Sequence, residues 1–204
     1  MATPERVKYG LRLLSTCKRL LSTLPKSPLY CHPSGCCRAV RALEVAVEIT
    51  GHGELLLRYR LSGDPAALSL PAAQLPVATD GLWQHTCCEA FIAPTDSPAY
   101  REFNFSPSGQ WAVYDFAAYR QRDPLFSPKL PPRLSFTAND HGFELIAVIA
   151  RELLPAGNSW QIGLTAVLEA EDGSKTYWAL THAASQPDFH LRQSFSLPLK
   201  VTAP

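Results

Sequence analysis

The 204-residue sequence lacks any apolar run that approaches the roughly 18 residues of a transmembrane helix. It also lacks alanine-rich heptads, and its 18 prolines would interrupt long helices, so a helical bundle or a coiled coil is excluded. With 46% hydrophobic and 18% charged residues, the composition is typical of a globular chain rather than a disordered one. The length suits one large domain.

Basic charge is scarce in most of the chain and concentrated at its start. Residues 1–27 hold six of the 19 basic residues and one of the 18 acidic residues, a balance of +5, which leaves −4 for the remainder. An acidic remainder gives no electrostatic reason to bind nucleic acid. The opening segment has no secretory cleavage pattern, so we expect a basic extension over residues 1–28 and a cytoplasmic protein, with no membrane partner. A transit peptide or a membrane-surface helix is the alternative for this segment.

The six cysteines are expected to be free thiols, because a chain without a secretory signal is expected in a reducing compartment. Their spacing matches neither a zinc knuckle nor a haem-attachment motif, so no metal site is expected. Neighbouring side chains in extended backbone point to opposite sides. We therefore expect no bridge within the adjacent pairs Cys36-Cys37 and Cys87-Cys88.

Alternating apolar and polar residues, separated by turn sequences, predict β-hairpins along most of the chain. The paired runs are 42–49 with 54–61, 99–106 with 110–117, 133–138 with 142–150, and 159–170 with 174–181. A further strand is predicted within 82–93. The pattern predicts an all-β fold, an antiparallel β-sandwich over residues 29–204. We also expect 142–150 and 159–170 to be adjacent strands, with core residues Leu145, Ala147, Ile149, Ile162, Leu164 and Ala166.

Three of the predicted strands carry an unusual second face. In 82–93, Cys88, Ala90 and Ile92 suit the core, whereas the other phase carries Trp83, His85, Cys87, Glu89 and Phe91. In 99–106, Glu102 and Asn104 lie opposite Phe103 and Phe105. The turn at Pro107-Ser108-Gly109 makes 110–117 the neighbouring strand, and we expect Trp111 beside Asn104. Rings and paired hydrogen-bonding groups together suit a sugar.

The segment from Trp83 to Arg120 resembles the DOMON-like domains of bacterial proteins. Its pattern is Trp83, Thr86-Cys87, Glu89 and Phe91, followed by Tyr100-x-Glu102-Phe103-Asn104-x-Ser106-Pro107-x-Gly109-x-Trp111, Tyr114, Phe116 and Tyr119-Arg120. Later stretches, Phe143-Glu144, Tyr177-Trp178-Ala179-Leu180-x-His182 and Pro187-Asp188-Phe189-His190, are also similar to the family. The resemblance covers residues 29–199. It implies a β-sandwich related to carbohydrate-binding module family 9 and to haem-binding cytochrome domains, with a sugar or haem pocket at one sheet.

A small ligand, most simply a sugar, is therefore the expected partner. The candidate rings are Trp83, Trp111 and Trp178, and the candidate polar groups are Glu89, Glu102, Asn104 and Arg120. The alternative is that the tryptophans are core residues and that Arg120 forms an ion pair with Asp115 or Asp123. The oligomeric state is left open.

Two alternative hypotheses, haem binding and glycan processing, also stay open. Haem is the alternative cofactor, although the usual axial methionine is missing, because the only methionine is Met1. The histidines available for haem are His85, His182 and His190. Glycan processing by a Glu89–Glu102 carboxylate pair is the enzymatic alternative. No nucleophile elbow, zinc-protease motif or nucleotide-binding loop occurs, so the expected function is non-catalytic binding without a cofactor.

Overall fold

Twelve strands make up most of the regular structure of residues 26–200, the part of the chain that the computed structural model describes. They are β1 (Lys26–Cys31), β2 (Val40–Ile49), β3 (Leu55–Gly63), β4 (Cys87–Pro94), β5 (Tyr100–Phe105), β6 (Trp111–Ala118), β7 (Gln121–Arg122), β8 (Arg133–Asn139), β9 (Gly142–Ile149), β10 (Ser159–Glu169), β11 (Lys175–Ala179) and β12 (Leu197–Lys200). The remaining helical structure in this range is short 3-10 turns, so no helix in it is long enough to cross a membrane.

The strands form two antiparallel layers. Sheet A has the order β1-β2-β3-β9-β8, and sheet B has the order β7-β6-β5-β4-β10-β11, with β12 also paired to β10. Strand β1 joins the layers, because its first residues pair with β2 and its last two pair with β11. The predicted all-β antiparallel sandwich is confirmed.

The core lies between the two sheets. Inward side chains of sheet A, such as Leu57 and Leu145, pack in one apolar cluster with Ile92, Phe103 and Leu164 of sheet B. Alternation explains this directly, because every second residue of each strand points inward. Each fully buried side chain of this kind stabilises the fold by about 1.5–3 kcal/mol.

The four predicted hairpins are confirmed as β2–β3, β5–β6, β8–β9 and β10–β11. The expected adjacency of 142–150 and 159–170 is wrong. Strand β9 pairs with β3 and β8 in sheet A, whereas β10 pairs with β4, β11 and β12 in sheet B. The six side chains expected in the core are all buried, but they meet across the sandwich interior. Alternation identifies a buried face and does not specify the strand's partner.

The start of the domain also differs from the prediction. Lys26, Ser27 and Pro28 pair with β2 as part of β1, so they belong to the sandwich rather than to the basic extension. Residues 1–25 and 201–204, including Cys17 and most of that extension, lie outside the described residues. A disulfide joins Cys31 and Cys36, which contradicts the expectation of six free thiols. Within residues 26–200, Cys37, Cys87 and Cys88 are free, so neither adjacent pair forms a bridge.

Candidate functional site

The outer face of sheet B is covered rather than left to solvent. The loop from about residue 182 to 196 crosses it and brings Phe195 to 5.7 Å and His190 to 5.2 Å from Phe91, measured between ring centroids. Tyr100 and Phe116, from β5 and β6, stack beneath His190 with centroids 4.7 Å apart. These rings form a second apolar cluster, which explains why outward side chains of β4, β5 and β6 are buried.

Beside this cluster lies a cavity of about 870 Å³. Ligand pockets typically occupy about 300–1,000 Å³. Its polar lining residues include Asp80, Glu89, Glu102, Arg120, Arg122, Lys175 and His190, and its rings include Trp83, Phe91, Tyr114, Phe116, Tyr177 and Phe189. The cavity therefore combines flat apolar surfaces with hydrogen-bonding groups.

Two buried carboxyl groups form the floor of the cavity. Glu89 of β4 lies opposite Asn104, and Glu102 of β5 lies opposite Phe91, so the two carboxyl groups are diagonal neighbours on one face. Only 2% of Glu89 and 5% of Glu102 is exposed. The alternation of β4 and β5 explains this placement, because the opposite phase of each strand fills the core.

Each floor carboxyl group has one oxygen engaged and one free. Thr165 Oγ1 donates to Glu89 Oε2 at 3.1 Å, and Asn104 Nδ2 donates to Glu102 Oε1 at 2.6 Å. Glu102 Oε2 is 3.8 Å from His190 Nε2, beyond hydrogen-bond distance. Glu89 Oε1 has no hydrogen-bond partner among residues 26–200. Both free oxygens are thus available to a bound molecule.

Burial controls the ionisation of the floor. It raises the pKa of Glu89 well above 4.5, and the charge of Glu102 raises it further. Burial also raises the pKa of Glu102 to about 7, although the hydrogen bond from Asn104 opposes the shift. His190 is shifted the other way, because burial and the charge of Arg120 lower its pKa to about 4. At neutral pH the histidine is therefore uncharged, and burial favours the protonated form of Glu89.

The remaining wall charges form ion pairs of their own. Arg120 contacts Asp188 at 3.0 Å, Arg122 contacts Asp80 at 3.6 Å and Lys175 contacts Glu169 at 3.8 Å. Arg120 adopts a left-handed backbone with φ 55°, and its backbone N–H donates to Tyr100 Oη at 3.0 Å. The ion-pair partner of Arg120 is therefore Asp188, and the sequence alternatives Asp115 and Asp123 are wrong.

Four of the predicted ligand-binding residues line the cavity: Trp83, Glu89, Glu102 and Arg120. Trp83 lies at the rim with 51% of its surface exposed. It does so from a 3-10 turn at Leu82–Gln84, because β4 begins only at Cys87. Asn104 is fully buried beneath the floor, where it orients Glu102 and its Oδ1 accepts a weak hydrogen bond from Cys87 Sγ at 3.6 Å.

Trp111 does not face the site, and this prediction is wrong. It lies directly opposite Phe105 in the β5–β6 hairpin, while Asn104 lies opposite Ala112. Partners in a ladder share a face, so Trp111 points into the core with Phe105. The turn sets this register: Ser106 N–H donates to the Gln110 carbonyl oxygen at 3.0 Å, which continues the ladder directly from Phe105–Trp111.

Trp178 is also a core residue, contrary to the prediction. It pairs with Ala166, whose side chain fills the core, and is only 7% exposed. Its indole Nε1 donates to Thr176 Oγ1 at 3.0 Å. The neighbouring residue Tyr177 points outward instead and lines the cavity.

The histidines do not fit a haem held by two axial imidazoles. Among residues 26–200, only His190 of the six histidines lines the cavity. His85 is bound to Glu169 at 2.7 Å, and His182 packs edge-on against His32 with ring centroids 4.8 Å apart. A haem needs ligands on opposite faces of its plane. The same residues contain no cluster of three or more metal-ligating side chains.

Sequence reasoning missed several residues of the wall. Asp80, Arg122 and Lys175 come from a loop, a two-residue strand and a strand end, where no periodicity singles them out. Tyr114 lies in the outward phase of β6 and could have been found from the register. From the sequence, Phe189 was noted only as part of the stretch Pro187-Asp188-Phe189-His190, which is similar to DOMON-like domains.

Comparison with known proteins supports the fold. No protein-family model and no curated protein sequence matches the chain. A structure from Bacteroides uniformis, provisionally named a carbohydrate-binding protein, is similar with a TM-score of 0.67 and 17% identity, over 91% of each chain.

Two further similar structures show a carbohydrate-binding module of family 9 from Caldicellulosiruptor kristjanssonii. The complex with glucose has a TM-score of 0.63 and 10% identity, covering 91% of this chain and 87% of the module. The complex with cellotriose has a TM-score of 0.59 and 10% identity, covering 89% and 84%. The chain therefore shares the β-sandwich fold of these carbohydrate-binding proteins.

Proposed function

We propose that this domain binds a saccharide in the cavity on the outer face of sheet B, and that it does so without chemical conversion. The observation that carries the proposal is the combination of half-exposed Trp83 and outward Tyr177 with the free oxygens of Glu89 and Glu102 in one cavity. A sugar ring offers C–H patches to the rings and hydroxyl groups to the carboxyl groups.

The structural neighbours add support from the fold. Two of them are family 9 modules in complex with glucose and cellotriose. Function depends on the site rather than on the fold. The cavity of this chain supplies that site from its own residues, and its volume of about 870 Å³ is within the usual range for small ligands.

The ionisation of the floor supports binding rather than hydrolysis. A glycosidase pairs a protonated acid with a carboxylate that is ionised at working pH. Here burial raises the pKa values of both Glu89 and Glu102, and neither forms an ion pair with an arginine or lysine of the described residues, although the charges of Arg120 and Arg122 lower the pKa of Glu102. With a pKa of about 7, Glu102 is only partly ionised at neutral pH, which disfavours a nucleophilic role.

Calorimetric and thermal-shift titrations with glucose, cellotriose and a panel of other sugars test the proposal. A ligand at 100 times its dissociation constant should raise the free energy of unfolding by about 2.7 kcal/mol. Trp83→Ala should weaken binding at least tenfold while leaving the unfolding curve nearly unchanged. Tyr30→Ala is the matched control, because Tyr30 is 59% exposed and does not line the cavity.

The sugar should be recovered unchanged after incubation with the protein. Release of hydrolysed product would contradict the non-catalytic proposal. Equal weakening by Trp83→Ala and Tyr30→Ala, or no binding across the panel, would contradict saccharide binding in this cavity.

A further inference from the structure

Every permanently cationic side chain on the cavity wall already has an acidic partner outside the floor. Arg120, Arg122 and Lys175 pair with Asp188, Asp80 and Glu169, respectively. None of them lies within ion-pair distance of Glu89 or Glu102. Among residues 26–200, neither floor carboxyl group thus forms an ion pair with a permanently charged group, although the more distant charges of Arg120 and Arg122 lower the pKa of Glu102.

His190 does not supply that charge either. Tyr100 Oη accepts the backbone N–H of Arg120 at 3.0 Å and forms a hydrogen bond with His190 Nδ1 at 2.8 Å, which holds the imidazole in place. Burial keeps the ring neutral by lowering its pKa to about 4. The imidazole whose Nε2 lies 3.8 Å from Glu102 Oε2 is therefore uncharged.

A buried carboxylate without a direct ion-pair partner is costly, and burial favours its protonated form. Glu89 and Glu102 are in this situation, yet each presents a free oxygen to a cavity rather than to packed side chains. A core that needed no ligand would gain by replacing such acids with apolar residues of similar size. The free oxygens of the floor could instead form an ion pair with a cationic group of a bound ligand.

We propose that the saccharide recognised by this cavity is an amino sugar, whose primary ammonium group binds against Glu89 and Glu102. This inference rests on the proposed saccharide function and specifies its ligand class. The ammonium group has three donors, enough for the free oxygens of both carboxyl groups. On binding, a floor carboxyl group releases its proton to solvent, and the resulting carboxylate forms a charge-assisted hydrogen bond with the ammonium group.

Calorimetric titration of the full chain at pH 7 tests the inference with four ligands. They are glucose, N-acetylglucosamine, glucosamine and 6-amino-6-deoxyglucose, which place the ammonium group at two positions and include an uncharged amide. At least one amino sugar should bind at least tenfold more tightly than glucose, and N-acetylglucosamine should not. Repeating the titration in buffers of different ionisation enthalpy should show net proton release with the amino sugar alone.

Glu89→Gln and Glu102→Gln should each remove the preference for the amino sugar, measured as the ratio of its affinity to that of glucose on the same variant. Glu171→Gln is the matched control, because Glu171 is exposed on the β10–β11 turn and does not line the cavity.

The comparison of ligands on the unaltered chain decides the question even where a floor variant does not fold. Neutral sugars that bind as tightly as both amino sugars would overturn this inference and leave saccharide binding standing. Absence of binding by all four sugars would overturn the inference and count against saccharide binding itself.

Discussion

Tyr59 Oη donates a 2.6 Å hydrogen bond to the backbone carbonyl oxygen of Glu89. Tyr59 belongs to β3 in sheet A and Glu89 to β4 in sheet B, so the bond spans the interior of the sandwich. Tyr59 is completely buried, and burial raises its pKa, which keeps the phenol protonated and able to donate. The strand that carries the cavity floor is thus fixed to the opposite sheet.

Tyr59→Phe should lower the free energy of unfolding by about 1–2 kcal/mol, because the Glu89 carbonyl oxygen loses a buried donor. Sugar affinity should change little, since the ladders with β5 and β10 still hold the strand. Urea denaturation measures the stability. Tyr30→Phe should show no loss, because Tyr30 is largely exposed. An unchanged stability in Tyr59→Phe would show that the bond contributes nothing net.

Trp83 and Trp111 should respond in opposite ways to truncation. Trp111→Ala should cost about 3–5 kcal/mol of unfolding free energy, as is typical of a large core residue, and leave sugar binding intact in the folded fraction. Trp111→Phe should cost less, because the indole Nε1 has no hydrogen-bond partner to lose. Trp83→Ala should cost little stability and most of the binding. Loss of binding in Trp111→Phe without loss of stability would place Trp111 at the site.

The core side of this fold could be predicted from the sequence because alternation directly reflects burial. The phase of Cys88, Ala90 and Ile92 in β4 correctly identified the inner face, and the other phase placed Glu89 at the site. Strand partners could not be obtained in this way. The apolar–polar alternation of β9 and β10 would be the same whether the two strands were neighbours in one sheet or members of opposite sheets.

Trp111 shows where pattern reasoning fails within a site. A hairpin register that differs by one residue moves a side chain to the other face, and the hydrogen bonds of the Ser106–Gln110 turn determine that register. His190 shows a second limit. It reaches the cavity on a loop that crosses the sheet, and loops carry no periodic signal.

The cysteines should differ sharply in reactivity. Cys37 is half-buried and should react with a thiol reagent in the native protein, whereas Cys87 and Cys88 are buried and their pKa values are raised by burial. Without reductant, the denatured chain should show two fewer thiols than after reduction, because Cys31 and Cys36 are bonded. Equal counts before and after reduction would contradict the disulfide.

Glu102 and His190 give stability opposite pH dependences. Burial raises the pKa of Glu102 from 4.5 to about 7, so between these values the folded state binds more protons and the free energy of unfolding falls as pH rises. Burial lowers the pKa of His190 from 6.5 to about 4, so between these values the unfolded state binds more protons and the free energy of unfolding rises. The two slopes oppose each other where the windows overlap.

Substituting Glu102 or His190 singly should reveal the pH dependence of stability that the other group contributes. Each pKa unit corresponds to about 1.4 kcal/mol. Relative to the unaltered chain, Glu102→Gln should therefore gain about 3 kcal/mol of unfolding free energy as pH rises through the window in which Glu102 titrates. Relative to the unaltered chain, His190→Gln should lose a similar or smaller amount of unfolding free energy as pH rises through the window in which His190 titrates. In the unaltered chain, His190 of the unfolded state loses its proton as pH rises, which favours the folded state, and the variant lacks this gain. Urea denaturation at half-unit pH steps measures both differences, with Glu171→Gln as the exposed control. If the difference curves for Glu102→Gln and His190→Gln have the same sign of slope, the folded-state pKa of at least one of the two groups is not shifted in the direction given above.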